Sequence, residues 1–230
     1  MSETDRTRRR PSSPEVGKAE RALVQLAALL AALAGLVDAI GFLAFGHVFL
    51  ASPDANATVL GASLSSRYDV ALFAGAMVLS FVAGVMLITL VTHRAEQFRR
   101  TVVISGTALA LIAAYFAFNA NVAFAPAVLL AMAMGEAHCI FARDNADLDE
   151  AMSPSAQIAR FGEALAQGRN GTNHRQIGLH ASFWLAFLIG GLAGAGAWIA
   201  FDAGSFALAA GLAGVLTLRT WLIERDFLPA

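Results

Sequence analysis

Six runs of this chain set its architecture. Residues 22–45, 70–92, 101–119, 123–142, 179–201 and 205–222 are each almost wholly apolar. A helix needs about 20 such residues to cross the hydrocarbon of a bilayer. Five of the runs are long and apolar enough, and the sixth is nearly so. An open sheet would leave backbone donors and acceptors unpaired in lipid, so the runs are expected to be helices. The chain is 57% hydrophobic and only 14% charged. A soluble domain of 230 residues cannot bury that much apolar surface, because its surface-to-volume ratio demands more polar cover.

Charge then orients the spans. With the N-terminus inside, 15 of the 16 Lys and Arg residues fall in the tails and connections on the inner side. Only Arg67 falls outside, and such a bias predicts six crossings with both termini cytoplasmic in the bacterial inner membrane. Residues 1–21 carry Arg6, Arg8, Arg9, Arg10, Lys18 and Arg21 among Ser and Pro, and read as a disordered basic tail. That tail either fixes topology or also touches anionic headgroups. The run after it is too long for a signal-peptide core and contains Asp38, so cleavage is not expected. The single cysteine, Cys139, can form no disulfide within the chain. The outer connections 119–122 and 202–204 are very short, which predicts antiparallel neighbours on either side of each.

A shift of about 100 residues superimposes the chain on itself. Gly35 then falls on Gly135, Asp38 on His138 and Ile40 on Ile140. One residue further along, Ser52-Pro53 falls on Ser153-Pro154, Asn56 on Gln157 and Gly61 on Gly162. Phe81 and Gly84 match Phe187 and Gly190. Each half reads as a helix, a short Ser-Pro helix, and two more helices. Three crossings per half invert the second half relative to the first. The expected fold is therefore all-α: two inverted three-helix repeats, residues 22–120 and 121–222, with a cytoplasmic tail at 223–230.

Inverted repeats with interrupted helices are a transporter arrangement. Proline removes a donor and disfavours helix in the residue before it, so each short helix starts with free N–H groups. Those groups favour anions or polar ligands, with Ser52 and Ser153 as natural N-caps. The alternative is a pair of interfacial helices with ordinary caps. Asp38, Glu136 and His138 are ionisable residues set well along apolar runs, and such positions face a partner or water. Asp38 and His138 sit at matched positions. They suggest a pair across the axis, read either as a proton or cation relay or as a structural polar pair. Asn56 and Gln157 line a polar path or cap it. Gly190 and Gly194 form a small-x-x-x-small face suited to close helix packing within the chain, with homodimerisation as the alternative.

No nucleotide loop, paired-cysteine site or nucleophile elbow is present, and neither an enzyme nor a cofactor is expected. A metal site would require Glu136, His138 and the acidic stretch 144–150 to converge. Nucleic-acid binding has no support beyond the basic tail. The expected partners are the lipid bilayer and a small solute, which leaves a permease or a non-transporting membrane scaffold.

The run Gly35-Leu36-Val37-Asp38-Ala39-Ile40-Gly41-Phe42-Leu43, followed by Phe49 and then by Asn56 and Leu60-Gly61, resembles the YoaK-type family of bacterial membrane proteins. In that family a Gly-x-x-Asp-Ala-x-x-Phe helix leads into a Ser-Gly-Asn-Thr segment. Ser155-Ala156-Gln157-Ile158 and Met134-Gly135 resemble its second-half motifs. The chain departs at Asp54-Ala55-Asn56, at Ala137-His138 and at Ala156. The resemblance covers about residues 22–222 and implies a fold and a location, not a reaction.

Overall fold

The computed structural model describes residues 14–46, 48–93, 98–144, 146–167 and 174–227, and every regular element among them is helical. Arg6, Arg8, Arg9 and Arg10 of the expected basic tail lie outside the described residues, as do Arg94 and Arg169 of the inner connections. The long helices are α1 (Pro14–Ala44), α3 (Tyr68–Thr92), α4 (Arg99–Asn119), α8 (His174–Phe201) and α9 (Gly204–Phe227). All five are long and apolar enough to cross a membrane. Between them lie α2 (Pro53–Ser63), α5 (Ala125–His138), the single turn α6 (Ala146–Asp149), a 3₁₀ turn (Glu150–Met152) and α7 (Pro154–Gln167).

Three boundaries differ from the sequence expectation. Helix α1 begins at Pro14, so residues 14–21 are helical rather than a disordered tail. Proline is pre-organised for a first helical turn, and Glu15, Lys18, Ala19 and Glu20 after it are good helix formers. Helix α9 continues to Phe227, through most of the expected C-terminal tail. Helix α5 is the larger departure. Its 14 residues reach only about 21 Å, short of the ~30 Å hydrocarbon core, and residues 139–142 of the expected run are turns. Arg99 explains that stop. Its guanidinium donates to the carbonyl oxygens of Cys139 at 2.5 Å and Ile140 at 3.1 Å, taking up carbonyls that continued helix would have used.

Helix α1 packs along α8, and α5 along α3; α4 lies against both α5 and α9, while α9 also leans on α1. The short helices α2 and α7 lie on α3 and α8. The turn between α8 and α9 is tight, with Asp202 at φ 47°, yet α9 packs only lightly on α8. Those two helices are therefore not the close neighbours that the short connection predicts. In its most apolar window α1 is 67% buried against 17% for α8, so α1 is core and α8 presents most of its surface outward. Leu26, Leu30, Leu33 and Val37 of α1 and Leu130 and Met134 of α5 are fully buried or nearly so.

Glycine sets how closely these helices approach. A methyl group at Gly190 would lie 1.9 Å from the carbonyl oxygen of Ala32, and one at Gly194 2.3 Å from that of Leu36. The expected small-residue face is thus used inside the chain, against α1, and is covered there. A methyl group at Gly35 would likewise lie 2.0 Å from the Phe187 carbonyl oxygen, one at Gly135 2.1 Å from that of Phe81, and one at Gly84 2.1 Å from that of Met132.

One polar cluster ties α4 to α5 and α9. Glu224, 2% exposed, accepts from the backbone N–H groups of Arg100 and Thr101 at 2.9 and 3.0 Å and from the Thr101 hydroxyl at 2.6 Å. A side chain from α9 therefore serves donors that the first turn of α4 leaves free. Arg100 pairs with Asp144 at 2.6 Å.

Candidate functional site

Past Ala44 the chain turns at Gly46, whose φ of +81° favours glycine, and comes back beside α1. Gly41 permits the return: a methyl group there would lie 2.5 Å from the Leu50 side chain. The returning strand is held by one carboxylate. Asp38 Oδ1 accepts from the backbone N–H groups of Leu50 at 2.7 Å and Ala51 at 2.5 Å, and Oδ2 accepts from the Ser52 hydroxyl at 2.6 Å. Asn56 adds a clamp from the first turns of α2. Its Oδ1 accepts from Phe49 N–H at 2.9 Å, and its Nδ2 donates to the carbonyl oxygen of the same residue.

The chain before α7 is held in a related way. Gln157, fully buried, donates from Nε2 to the carbonyl oxygen of Glu150 at 2.8 Å, while its Oε1 lies 2.8 Å from Nδ1 of His180. Ser153 Oγ accepts from Ala156 N–H at a long 3.5 Å. Arg160 pairs with Glu150 at 3.0 Å, and that carboxylate holds the guanidinium above its ordinary value.

Both short helices begin at one cavity of about 500 Å³. Its wall is aromatic at Phe42, Phe49 and Phe187, and small at Gly35, Gly191 and Ala195. Asp54 and Ala55 bring the start of α2 to it, and Pro154 and Ser155 the start of α7. Asp38 and Ser52 also border it, with their polar atoms already bonded to each other. The geometry suits a small molecule with an apolar body and a polar end.

Several sequence expectations are corrected by these contacts. Asp38 does not pair with His138. All its bonds go to the segment before α2, because that segment brings two backbone donors and a hydroxyl within reach. His138 turns Nδ1 to the carbonyl oxygen of Met134 at 2.9 Å and meets the Phe81 ring edge-on. Ser52 makes no side-chain cap on α2, since its hydroxyl is given to Asp38; Ser153 alone approaches the expected role. Asn56 and Gln157 do not line the cavity. They are buried in backbone clamps, and Pro53 and Pro154 open the two short helices as expected. Glu136 lies apart from the cavity, facing Gly106 of α4 and Ile88 of α3. Among the described residues no group of three His, Cys, Asp or Glu could hold a metal ion.

Other site residues were not found by sequence reasoning. Gly191 and Ala195 carried no signal beyond small character, and Phe42, Phe187 and Ser155 figured only in the family motifs and the internal repeat, with no role at a site. Glu224 carried one: an acid at the end of an apolar run, beside the charged Arg219, Arg225 and Asp226.

The family described as "Protein of unknown function (DUF1275)" matches residues 26–219. The UPF0700 transmembrane protein YoaK of Bacillus subtilis (strain 168) is 38% identical over 73 residues, 31% of this chain and 32% of that protein. The matched part is thus about a third of the length of that curated relative. No solved structure matches.

Proposed function

The chain belongs to the DUF1275 family of proteins of unknown function, the YoaK-type family, and is a multi-pass membrane protein; on that premise we propose that it is a small-solute secondary transporter or permease of the bacterial inner membrane, proton-coupled and built from two inverted three-helix halves. Its termini are cytoplasmic, and it performs no chemistry on the solute.

The observation that carries this reading is a set of contacts that exchange between halves. Gly35 meets the Phe187 carbonyl, and its counterpart Gly135 meets that of Phe81, the counterpart of Phe187. Gly190 meets the Ala32 carbonyl, and Gly84 meets that of Met132, 100 residues further on. The amide clamps repeat as well, each reaching seven residues back, from Asn56 to Phe49 and from Gln157 to Glu150. Helix pairs follow the same exchange: α1 with α8 against α5 with α3, and α2 with α3 against α7 with α8. A half-turn that swaps the units would produce these pairs. The cavity at the starts of both short helices supports a solute site, in keeping with the interrupted helices of transporters. The membrane scaffold is a second reading. It is favoured by the internal engagement of Asp38, Asn56 and Gln157, which leaves these polar residues structural.

Alternating access is the discriminating test. In a Cys139→Ser background, cysteines placed at Ser155 and Ala195 are challenged with an impermeant maleimide in right-side-out and inside-out vesicles. A transporter exposes the cavity to both sides in turn, so both preparations label. Labelling from one side only, or from neither, returns the protein to the scaffold reading.

A further inference from the structure

Glu136 differs from the other buried carboxylates, Asp38 and Glu224, which each accept three hydrogen bonds. Glu136 is 4% exposed, and its Oε2 has no hydrogen-bond partner among the described residues. No ion pair among those residues reaches it. The carboxyl sits in a notch on α4: a methyl group at Gly106 would lie 2.9 Å from Oε2 and 3.1 Å from the Ile88 side chain of α3. Gly106 therefore makes room for the acid while supplying no side-chain donor.

The charged and titratable groups of the surrounding elements are directed elsewhere. Arg99 donates to the carbonyl oxygens of Cys139 and Ile140, and Arg100 pairs with Asp144 and approaches Glu224. His138 is turned to Met134 and Phe81. The Cys139 thiol donates to the Gly135 carbonyl oxygen at 3.6 Å. Asp69 opens the far end of α3, His93 follows its last residue, and Tyr115 is in the far part of α4.

A carboxylate with a buried oxygen that meets no donor, as at Oε2, is disfavoured in such a place, and a proton is the smallest ligand that removes the charge. A divalent cation would need about six or more oxygen ligands, and no acidic cluster accompanies Glu136 among the described residues. We infer that Glu136 is a proton-binding site, separate from the solute cavity, that holds its proton while the notch against Gly106 stays dry and releases it when water enters. Glu136 would bind that proton whether or not the cavity carries a solute.

Infrared spectra of the full chain in nanodiscs at neutral pH, wild type minus Glu136→Gln, decide the matter. Loss of a protonated-carboxyl carbonyl band in the variant is the expected result. Loss of a carboxylate band instead overturns the assignment. If the Gln variant fails to fold, carbodiimide modification of the wild type, mapped by mass spectrometry, replaces it, since the reagent attacks protonated carboxyls. An adduct at Glu136 with equal yield at neutral and acidic pH is expected; an adduct confined to acidic pH, or none, overturns it. The access experiment at Ser155 and Ala195 reads the cavity independently, so the two readings can fail separately.

Discussion

Replacing Asp38 tests whether this intramembrane acid is a structural anchor. Its carboxylate accepts two backbone N–H groups and one hydroxyl, all between 2.5 and 2.7 Å, at 5% exposure. In Asp38→Ala the Ser52 hydroxyl can rotate to another acceptor, but the N–H groups of Leu50 and Ala51 cannot. Leaving a buried donor unsatisfied costs about 1–3 kcal/mol, so the two together cost roughly 2–6 kcal/mol, before any loss of packing. Asp38→Asn keeps an amide oxygen where Oδ1 stands, so both N–H groups retain an acceptor. The Asn variant loses only the charge-assisted part, on the order of 1–2 kcal/mol. Ser52→Ala removes one such bond and should cost about 1.5–3 kcal/mol. Combining it with Asp38→Asn should cost less than the sum of the two, because the variants share one interaction. The assay is reversible unfolding of the purified protein in mixed micelles, followed by helical circular dichroism. Equal destabilisation by Asn and Ala would refute the anchor, because the charge rather than the acceptor geometry would then be what matters. Strict additivity of Asp38→Asn and Ser52→Ala would separately remove the Asp38–Ser52 bond.

Four further outcomes follow from the packing. Gly84→Ala and Gly190→Ala each place a methyl group about 2 Å from a backbone carbonyl oxygen, and should destabilise by roughly 1–3 kcal/mol in the same unfolding assay. Gly211→Ala and Gly214→Ala meet nothing within 4 Å and should be neutral or stabilising by up to about 1 kcal/mol; a similar loss at all four positions would contradict the close crossings. Glu224→Ala strips an acceptor from Arg100 N–H and Thr101 N–H, with an expected cost on the order of 2–5 kcal/mol, and amide hydrogen exchange should rise in the first turn of α4. Arg160→Met breaks a pair whose partners are 38% and 36% exposed, so solvent screening should leave the unfolding midpoint unchanged in the same assay.

Much of the helical frame was legible because hydrocarbon permits few solutions. The apolar runs at 70–92 and 101–119 became α3 and α4 with ends moved by two residues or fewer. The Ser-Pro steps likewise located the starts of α2 and α7, since proline cannot continue a helix but can begin one. The end of α5 was not legible. Residues 139–142 are as apolar as those before them, and the stop comes from Arg99, which reaches across about 40 residues of sequence. The roles of the polar residues were legible only as positions. Sequence placed Asp38, Asn56 and Gln157 inside the protein, and the structure keeps them there. What Asp38 and Asn56 bond to depends on a chain reversal at Gly46, whose depth no spacing rule gives, and the partners of Gln157 depend on the turns before α7 and on α8.

The same limit explains why matched residues carry different chemistry. Asp38 and His138 fall together when the chain is shifted, and the symmetric expectation joined them. Yet only the first half returns backbone donors to that position. In the second half the segment leading to α7 contains α6 and a 3₁₀ turn, and its clamp is Gln157 on Glu150 with His180 behind it. The histidine at position 138 uses the Met134 carbonyl oxygen of its own helix. On the proposed half-turn relation, then, the backbone scaffold repeats while the polar content is divided: a saturated carboxylate on α1, and on α5 an unsatisfied one, Glu136, two residues before the matched position. On the permease proposal the division separates two tasks: an acid held by three donors is kept ionised and anchors the chain, whereas an acid whose buried oxygen meets no donor gains or loses a proton at less structural cost.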